Sequence, residues 1–368
     1  MKNIFGNSIT LTLFGESHGE YIGATLDGLA PGMRVDRDYI SAKLALRRPK
    51  GKISTARVEG DEFLIISGEY GGYTTGTPLT VLIPNTNKRS GDYKNILEAP
   101  RPGHSDYTAE CKYHGYQDTR GGGHFSGRIT AALVAAGAIL AYALEERGIY
   151  IGTHISKLHG VCDREFMDYK TDITSLSKEY FPVLSREARG AMENEITLAA
   201  EAGDSVGGVL ESAVIGLPLG VGEPWFDTLE SMLAHALFSI PGVKGVEFGL
   251  GFGFADCYGS EGNDPYRISD GKIVTATNNN GGINGGISNG MPIIFRCAVK
   301  PTPSIFKEQD TVNLSEMKNT TIQIAGRHDP AIIHRARAVV DAVTAIVLAD
   351  ALTGRFGTDF LACEVEKK

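Results

Sequence analysis

The chain has 368 residues and a formal net charge of -8, an acidity that excludes a general nucleic-acid or membrane-surface protein, since those need a basic footprint. Charged residues at 22% and hydrophobic residues at 42% fit a globular protein with a substantial core. The 46 glycines exceed the ~7% of an average chain, so conformationally special loops are expected to be many.

Strand-like runs that end at Gly, Pro or Asn are expected at 9–14, 24–29, 63–67 and 79–83, then at 206–215, 246–254, 293–299 and 320–324. Among them, Asp36 caps a predicted helix to Leu46, and Ser185 caps another that stops before Gly203. A third helix covers 226–238 and closes at Pro241-Gly242. Two helices, 129–146 and 332–352, are apolar around much of their circumference and belong inside the protein, covered on both faces. The run 129–144 would reach ~24 Å as a helix, short of a ~30 Å bilayer core. With no composition break to mark a linker, a single α+β domain over 1–368 with buried helices between sheets is the expectation. The approaches to the two apolar helices, 120–128 and 326–330, both deliver Arg and His to a helix start. That likeness raises an internal pseudo-repeat.

Five scattered cysteines without C-x-x-C spacing read as reduced thiols in a cytoplasmic protein, and no metal is expected. The N-terminus lacks the apolar centre of a secretory leader.

Chemistry gathers in glycine-flanked clusters. Gly15-Glu16-Ser17-His18-Gly19 fits the G-x-S-x-G elbow of a serine hydrolase with Ser17 as nucleophile. That elbow needs a helix after it, and the residues after Gly19 read as another strand. A strand-end turn is the plain alternative. Arg101-Pro102-Gly103-His104-Ser105-Asp106 combines a guanidinium, an imidazole and a carboxylate on a turn. Arg120-Gly121-Gly122-Gly123 before an apolar helix suits an anion held by backbone N–H groups and the helix dipole, with Arg128 adding charge. The Asn/Gly run 278–290 is not expected to pack as a regular element. Lys300-Pro301-Thr302-Pro303-Ser304 offers one cation and two hydroxyls to a phosphate. Arg47, Arg48, Lys50 and Lys52 end a helix, where the dipole accounts for some of them and a ligand for the rest. Arg327-His328-Asp329-Pro330 supplies a third histidine cluster. An acidic protein with local arginine pockets points to a small anionic ligand.

Taken in this order, the four glycine-flanked motifs resemble those of the chorismate synthase family, and the resemblance covers nearly the whole chain. It implies a β-α-β sandwich in which two mainly antiparallel sheets enclose helices, and a homotetramer. It also implies an FMN-dependent lyase of the shikimate pathway, converting 5-enolpyruvylshikimate 3-phosphate to chorismate by 1,4-anti elimination of phosphate. Reduced FMN is required without net redox change. NADPH stands as the candidate reductant, directly or through an external reductase, the latter favoured because no G-x-G-x-x-G occurs in a βαβ setting. By the same resemblance His18 protonates the departing phosphate, His104 stabilises reduced flavin, and Ser17 with Asp329 relays the flavin proton. Arg47, Arg48, Arg101 and Arg128 would meet substrate anions. His124, Phe125, Ser126, Gly285, Lys300, Pro301, Thr302, Pro303, Ser304 and Arg327 would meet the cofactor. Three places depart from the commoner family pattern: His124-Phe125, Pro241-Gly242, and Ile53 where an arginine is usual, with Lys50, Lys52 or Arg57 as substitutes. The competing readings are the Ser17 hydrolase and a non-catalytic flavin- or phosphate-binding protein.

Overall fold

A computed structural model describes residues 2–51, 53–54, 60–86, 98–324, 326 and 328–363. Two five-stranded antiparallel sheets enclose a layer of helices. The first runs, in spatial order, Ile4–Phe5, Thr10–Gly15, Tyr21–Asp27, Leu79–Pro84 and Leu64–Ser67. The second runs Val243–Phe248, Ile293–Val299, Gly208–Ile215, Tyr150–Leu158 and Val161–Cys162. Side chains alternate across each strand, so Leu79, Val81 and Ile83 face the helices, as do Phe295, Cys297 and Val299 from the other side.

The helices Thr130–Glu146 and Ile333–Phe356 form the middle of this sandwich, as their all-round hydrophobicity requires. The first packs on strands Tyr21–Asp27 and Leu79–Pro84, the second on Tyr150–Leu158 and Gly208–Ile215. They touch closely at Gly137, where a Cβ would stand 2.5 Å from Ala342 Cβ. A mid-helix glycine costs ~1 kcal/mol against alanine, and here it admits the contact. The stretch Gly127–Glu146 has the length and hydropathy of a membrane span, yet most of it is buried inside the protein. Helix Arg37–Arg47 starts at Asp36, which accepts from the Tyr39 N–H at 2.9 Å. It runs opposite to the central pair: its Tyr39 hydroxyl donates to Glu145, whereas its last carbonyl, Arg47, accepts from Arg335 Nε at 2.8 Å. The two ends of the chain meet at buried Asp350, which accepts from the N–H groups of Asn7, Ser8 and Ile9.

Several elements differ from their predicted limits for local reasons. The strand expected over 246–254 is Val243–Phe248; Gly249 and Gly251 take positive φ, and a 3-10 turn, Gly251–Asp256, follows. The helix expected from 226 begins at Leu229, because Thr228 accepts from the Ser231 N–H and caps it there. The Asn/Gly run is ordered: Ile283–Asn284 pairs with Ile287–Ser288, and Asp264 gathers the Asn279 and Asn280 N–H groups. Helix Asp106–Tyr113 lacks apolar periodicity and Tyr169–Leu176, capped by Asp168, is only two turns long; both lie outside the expected elements.

Tyr150–Leu158, the largest omission, holds polar residues at buried positions. Thr153 bonds Ser212 and Asp341 on one face, while on the other His154 lies 2.9 Å from Asp163 and 3.1 Å from Glu211. Burial alone would depress the His154 pKa, but these two carboxylates outweigh it and raise the pKa. An imidazolium with both N–H groups donating fits both partners. Because the folded pKa is raised, its stabilisation is complete below ~6.5 and fades as pH rises through the folded value. His154→Ala is expected to lower the unfolding free energy by ~2–3 kcal/mol at pH 6, since two carboxylates each lose a charged hydrogen bond while Asp163 keeps backbone N–H partners and Glu211 keeps Arg296. Urea denaturation at several pH values checks this, with the deficit shrinking toward alkaline pH.

Candidate active site

Strand Thr10–Gly15 ends in a turn closed by the Gly19 N–H on the Glu16 carbonyl at 3.0 Å, and strand Tyr21–Asp27 follows at once. No helix follows the turn, so the strand-turn-helix of a hydrolase elbow is not formed and the Ser17 nucleophile fails on topology. Ser17 Oγ lies 3.2 Å from the carbonyls of Arg120 and Gly121 and 3.2 Å from His18 Nδ1. Carbonyls only accept, so the single hydroxyl proton goes to them and Oγ accepts from Nδ1–H. That tautomer makes Nε2 the nitrogen through which buried His18 can serve a reacting group.

At Gly121 and Gly123 a side chain would clash. All three glycines have positive φ, and a Cβ on Gly121 would stand 2.1 Å from His18 Cε1. A Cβ on Gly122 would lie 3.6 Å from His104 Cε1, and one on Gly123 would be 2.0 Å from the Asp118 carbonyl oxygen. The loop is thus a spacer between two imidazoles. It does not open directly onto the apolar helix, because Ser126 caps an intervening turn, Gly127–Ile129. Arg120 points outward and pairs with Asp118 at 2.8 Å, so the sequence-based cradle with Arg120 is not formed.

His104 is held from the other side. Asp106, the first residue of its helix, accepts from Arg101 Nε and Nη2 at 2.7 Å each and from His104 Nδ1 at 2.7 Å. Burial alone would raise the Asp106 pKa, but hydrogen bonds from Arg101 and His104 hold it well below the usual carboxylate range. With Nδ1–H given to Asp106, Nε2 is the nitrogen on the glycine-loop side. Lys300 Nζ donates to the Gly103 carbonyl, and Arg101 Nη1 lies 3.4 Å from Ser304 Oγ, which joins the segment Lys300–Ser304 to this loop. Within that segment Pro303 packs on Gly103, Pro301 packs on Gly207, and Thr302 Oγ1 is buried without a hydrogen-bond partner.

A second cluster surrounds Asp61, a residue the sequence reading passed over. Arg128 Nη1 donates to its carboxylate, Arg48 Nε lies 3.6 Å away, and Arg47 adds its charge. Burial would raise the Asp61 pKa; the three arginines pull it below the usual value. Arg335, also missed, links this cluster to the third motif by donating to Asp329 Oδ2 at 2.7 Å and to the Arg47 carbonyl. One signal was available: Arg335 and Arg337 put cationic side chains in the first turns of a helix, against its dipole. Arg337 donates to the Leu176 carbonyl at 3.0 Å, while burial pushes His334 down to about 3, leaving it neutral beside Ser54 at 2.8 Å.

Other predicted positions have internal partners. His124 Nδ1 meets the Gly15 carbonyl at 2.8 Å, and Phe125 packs edge-on to Tyr113. Gly285 turns the small hairpin whose next residue, Gly286, accepts from the Leu229 N–H. The Gly242 carbonyl accepts from the Lys300 N–H at 2.9 Å, so Pro241-Gly242 supports the 300–304 segment. The His328 ring lies tilted against Phe306, and burial lowers its pKa. Ile53 packs against the core, and the Lys50 N–H donates to Tyr180. Arg327, Lys52 and Arg57 lie outside the described residues. Among the described residues no group of three His, Cys, Asp or Glu could hold a metal.

Two oriented imidazoles around a glycine spacer, flanked by buried arginines, define an acid-base enzyme acting on a small anion. A family model for chorismate synthase matches residues 9–353. The chain is 48% identical to the chorismate synthase of Pyrococcus abyssi, across 95% of this chain and 97% of that one. It is 46% identical to that of Dehalococcoides mccartyi strain BAV1, across 95% and 96%. A crystal structure of chorismate synthase superposes with a TM-score of 0.75 at 29% identity, covering 96% of this chain and 94% of the other. The chain belongs to the chorismate synthase family and is a carbon-oxygen lyase of aromatic amino-acid biosynthesis.

The glycine spacer yields a direct test. Gly121→Ala must displace His18 and strain a left-handed backbone, and misplacement by ~1 Å costs ~10²-fold in rate. Turnover is expected to fall by about that factor while circular dichroism shows the fold retained.

Proposed function

We propose that this chain converts 5-enolpyruvylshikimate 3-phosphate to chorismate by 1,4-anti elimination of phosphate, with reduced FMN as cofactor. The gathering of His18 and His104 beside the same Gly121–Gly123 loop supports this most strongly, since two proton-handling groups then stand at one site. His18 donates from Nε2 to the departing phosphate, its tautomer held by Ser17. His104, braced by Asp106, holds a proton toward the cofactor. Ser17 and Asp329 carry the cofactor proton away, with Asp329 kept in place by Arg335. Arg47, Arg48, Arg101 and Arg128 neutralise the substrate carboxylates and phosphate. Bidentate guanidinium contacts fix orientation as well as charge.

The segment Lys300–Ser304 fits the cofactor. A buried hydroxyl without a partner costs ~1–3 kcal/mol, and Thr302 Oγ1 is such a group, suited to a ligand oxygen. Lys300, Thr302 and Ser304, with Pro301, Pro303, Gly285, His124 to Ser126 and Arg327, would hold FMN. When bound, reduced FMN supplies the transient electron density that lets phosphate leave without net oxidation. NADPH reaches it through an external reductase in this reading. Cytoplasmic residence agrees with five unpaired cysteines. A homotetramer would cover exposed apolar side chains such as Trp225, Phe226 and Phe252.

Anaerobic phosphate release from the enolpyruvyl substrate, strictly dependent on reduced FMN, is the expected result. Folded protein that releases none under those conditions would overturn the proposal. His18→Ala and His104→Ala are each expected to lower turnover by ~10²-fold or more, measured by stopped-flow phosphate detection. Near-normal rates would remove the acid roles.

A further inference from the structure

Asn85 follows strand Leu79–Pro84 and is buried between two parts of the site that are far apart in sequence. Its Nδ2 donates to the carbonyls of Glu16 at 3.0 Å and Gly19 at 3.1 Å, the two ends of the turn that holds Ser17 and His18. Its Oδ1 accepts from Arg128 Nε at 3.0 Å. The neighbouring Pro84 carbonyl takes Arg128 Nη2 at 3.3 Å, and the Asn85 backbone N–H donates to the Glu20 carbonyl at 2.9 Å. These partners settle the orientation of the amide: two carbonyls require the NH₂ group, and a guanidinium N–H requires the oxygen.

We infer that Asn85 is a positioning residue that ties His18 to Arg128, so that the proton donor and an anion-binding arginine keep one fixed relation. The inference rests on the roles proposed for those two residues. An amide suits the place for a chemical reason. Two donors on one side and an acceptor on the other are available from asparagine, whereas aspartate would set an oxygen against two carbonyl oxygens. Alanine or serine cannot span the gap.

Asn85→Asp keeps an acceptor for Arg128 and removes both donations to the histidine turn, so it separates the two arms. It is expected to lower kcat by ~10–100-fold, as a small misplacement of the acid does, while KM changes by less than ~3-fold. In flavin-free protein, imidazole nitrogen NMR should show the His18 titration midpoint displaced from wild type. Thermal unfolding is followed in parallel, and all readings are taken below the melting range. Should Asn85→Asp not fold, Asn85→Ser removes the same donors and takes the same measurements. A variant whose melting temperature falls while kcat and the His18 titration match wild type would show Asn85 to be only structural and overturn the inference. Wild-type protein that releases no phosphate overturns the proposed reaction instead, and the NMR titration still decides whether Asn85 governs His18.

Discussion

The two central helices run side by side in the same direction, and the site depends on that arrangement. Arg335, at the start of one, reaches the carbonyl that ends helix Arg37–Arg47, and Arg128, just before the other, reaches Asp61 beside Arg47 and Arg48. Two helix N-termini and one antiparallel C-terminus therefore meet at one end of the sandwich. Backbone partial charge there is net positive, which favours an anion. Gly137 makes the arrangement possible, since any larger residue would push the helices apart at Ala342 and with them the loops on their ends.

Around this frame the protein keeps its cations oriented by burying carboxylates beneath them. Asp106 grips Arg101 and His104 together, Asp61 sits among three arginines, and Asp329 takes Arg335. Each pairing limits the rotamers of a long side chain, so less freedom is lost when a ligand binds. The two imidazoles are treated alike: Nδ1 meets Ser17 in His18 and Asp106 in His104. His18 and His104 differ in position, the first beside Gly121 and the second beside Gly122 of a loop whose three glycines all take positive φ.

Much of this was legible in the residues. All-round hydrophobicity marked the central helices, capping residues marked Arg37–Arg47 and Arg186–Glu201, and apolar runs marked strands such as Leu79–Pro84 and Ile293–Val299. Tyr150–Leu158 escaped because two of its buried positions, on opposite faces, are Thr153 and His154, polar residues whose side chains bond Ser212, Asp341, Asp163 and Glu211 from elsewhere in the chain. Asp61, Asn85 and Arg335 escaped for the same reason. Asp61 and Asn85 stand in unremarkable local sequence, and the importance of all three lies largely in partners 43 to 288 residues away.

The sequence by itself determined the kind of elements, the burial of two helices and the residue types of an acid-base site for an anion, because hydrophobic period, capping and turn chemistry act over a few neighbouring residues. It also placed glycine at most of the described positions where the backbone turns left-handed, with Asp61 and His114 among the exceptions. Which face His18 presents, that Arg120 turns outward while Arg128 turns in, and that one asparagine joins a histidine turn to an arginine were decided only in the tertiary structure. Those outcomes depend on hydrogen-bond partners and close approaches between distant segments, and no local pattern encodes them.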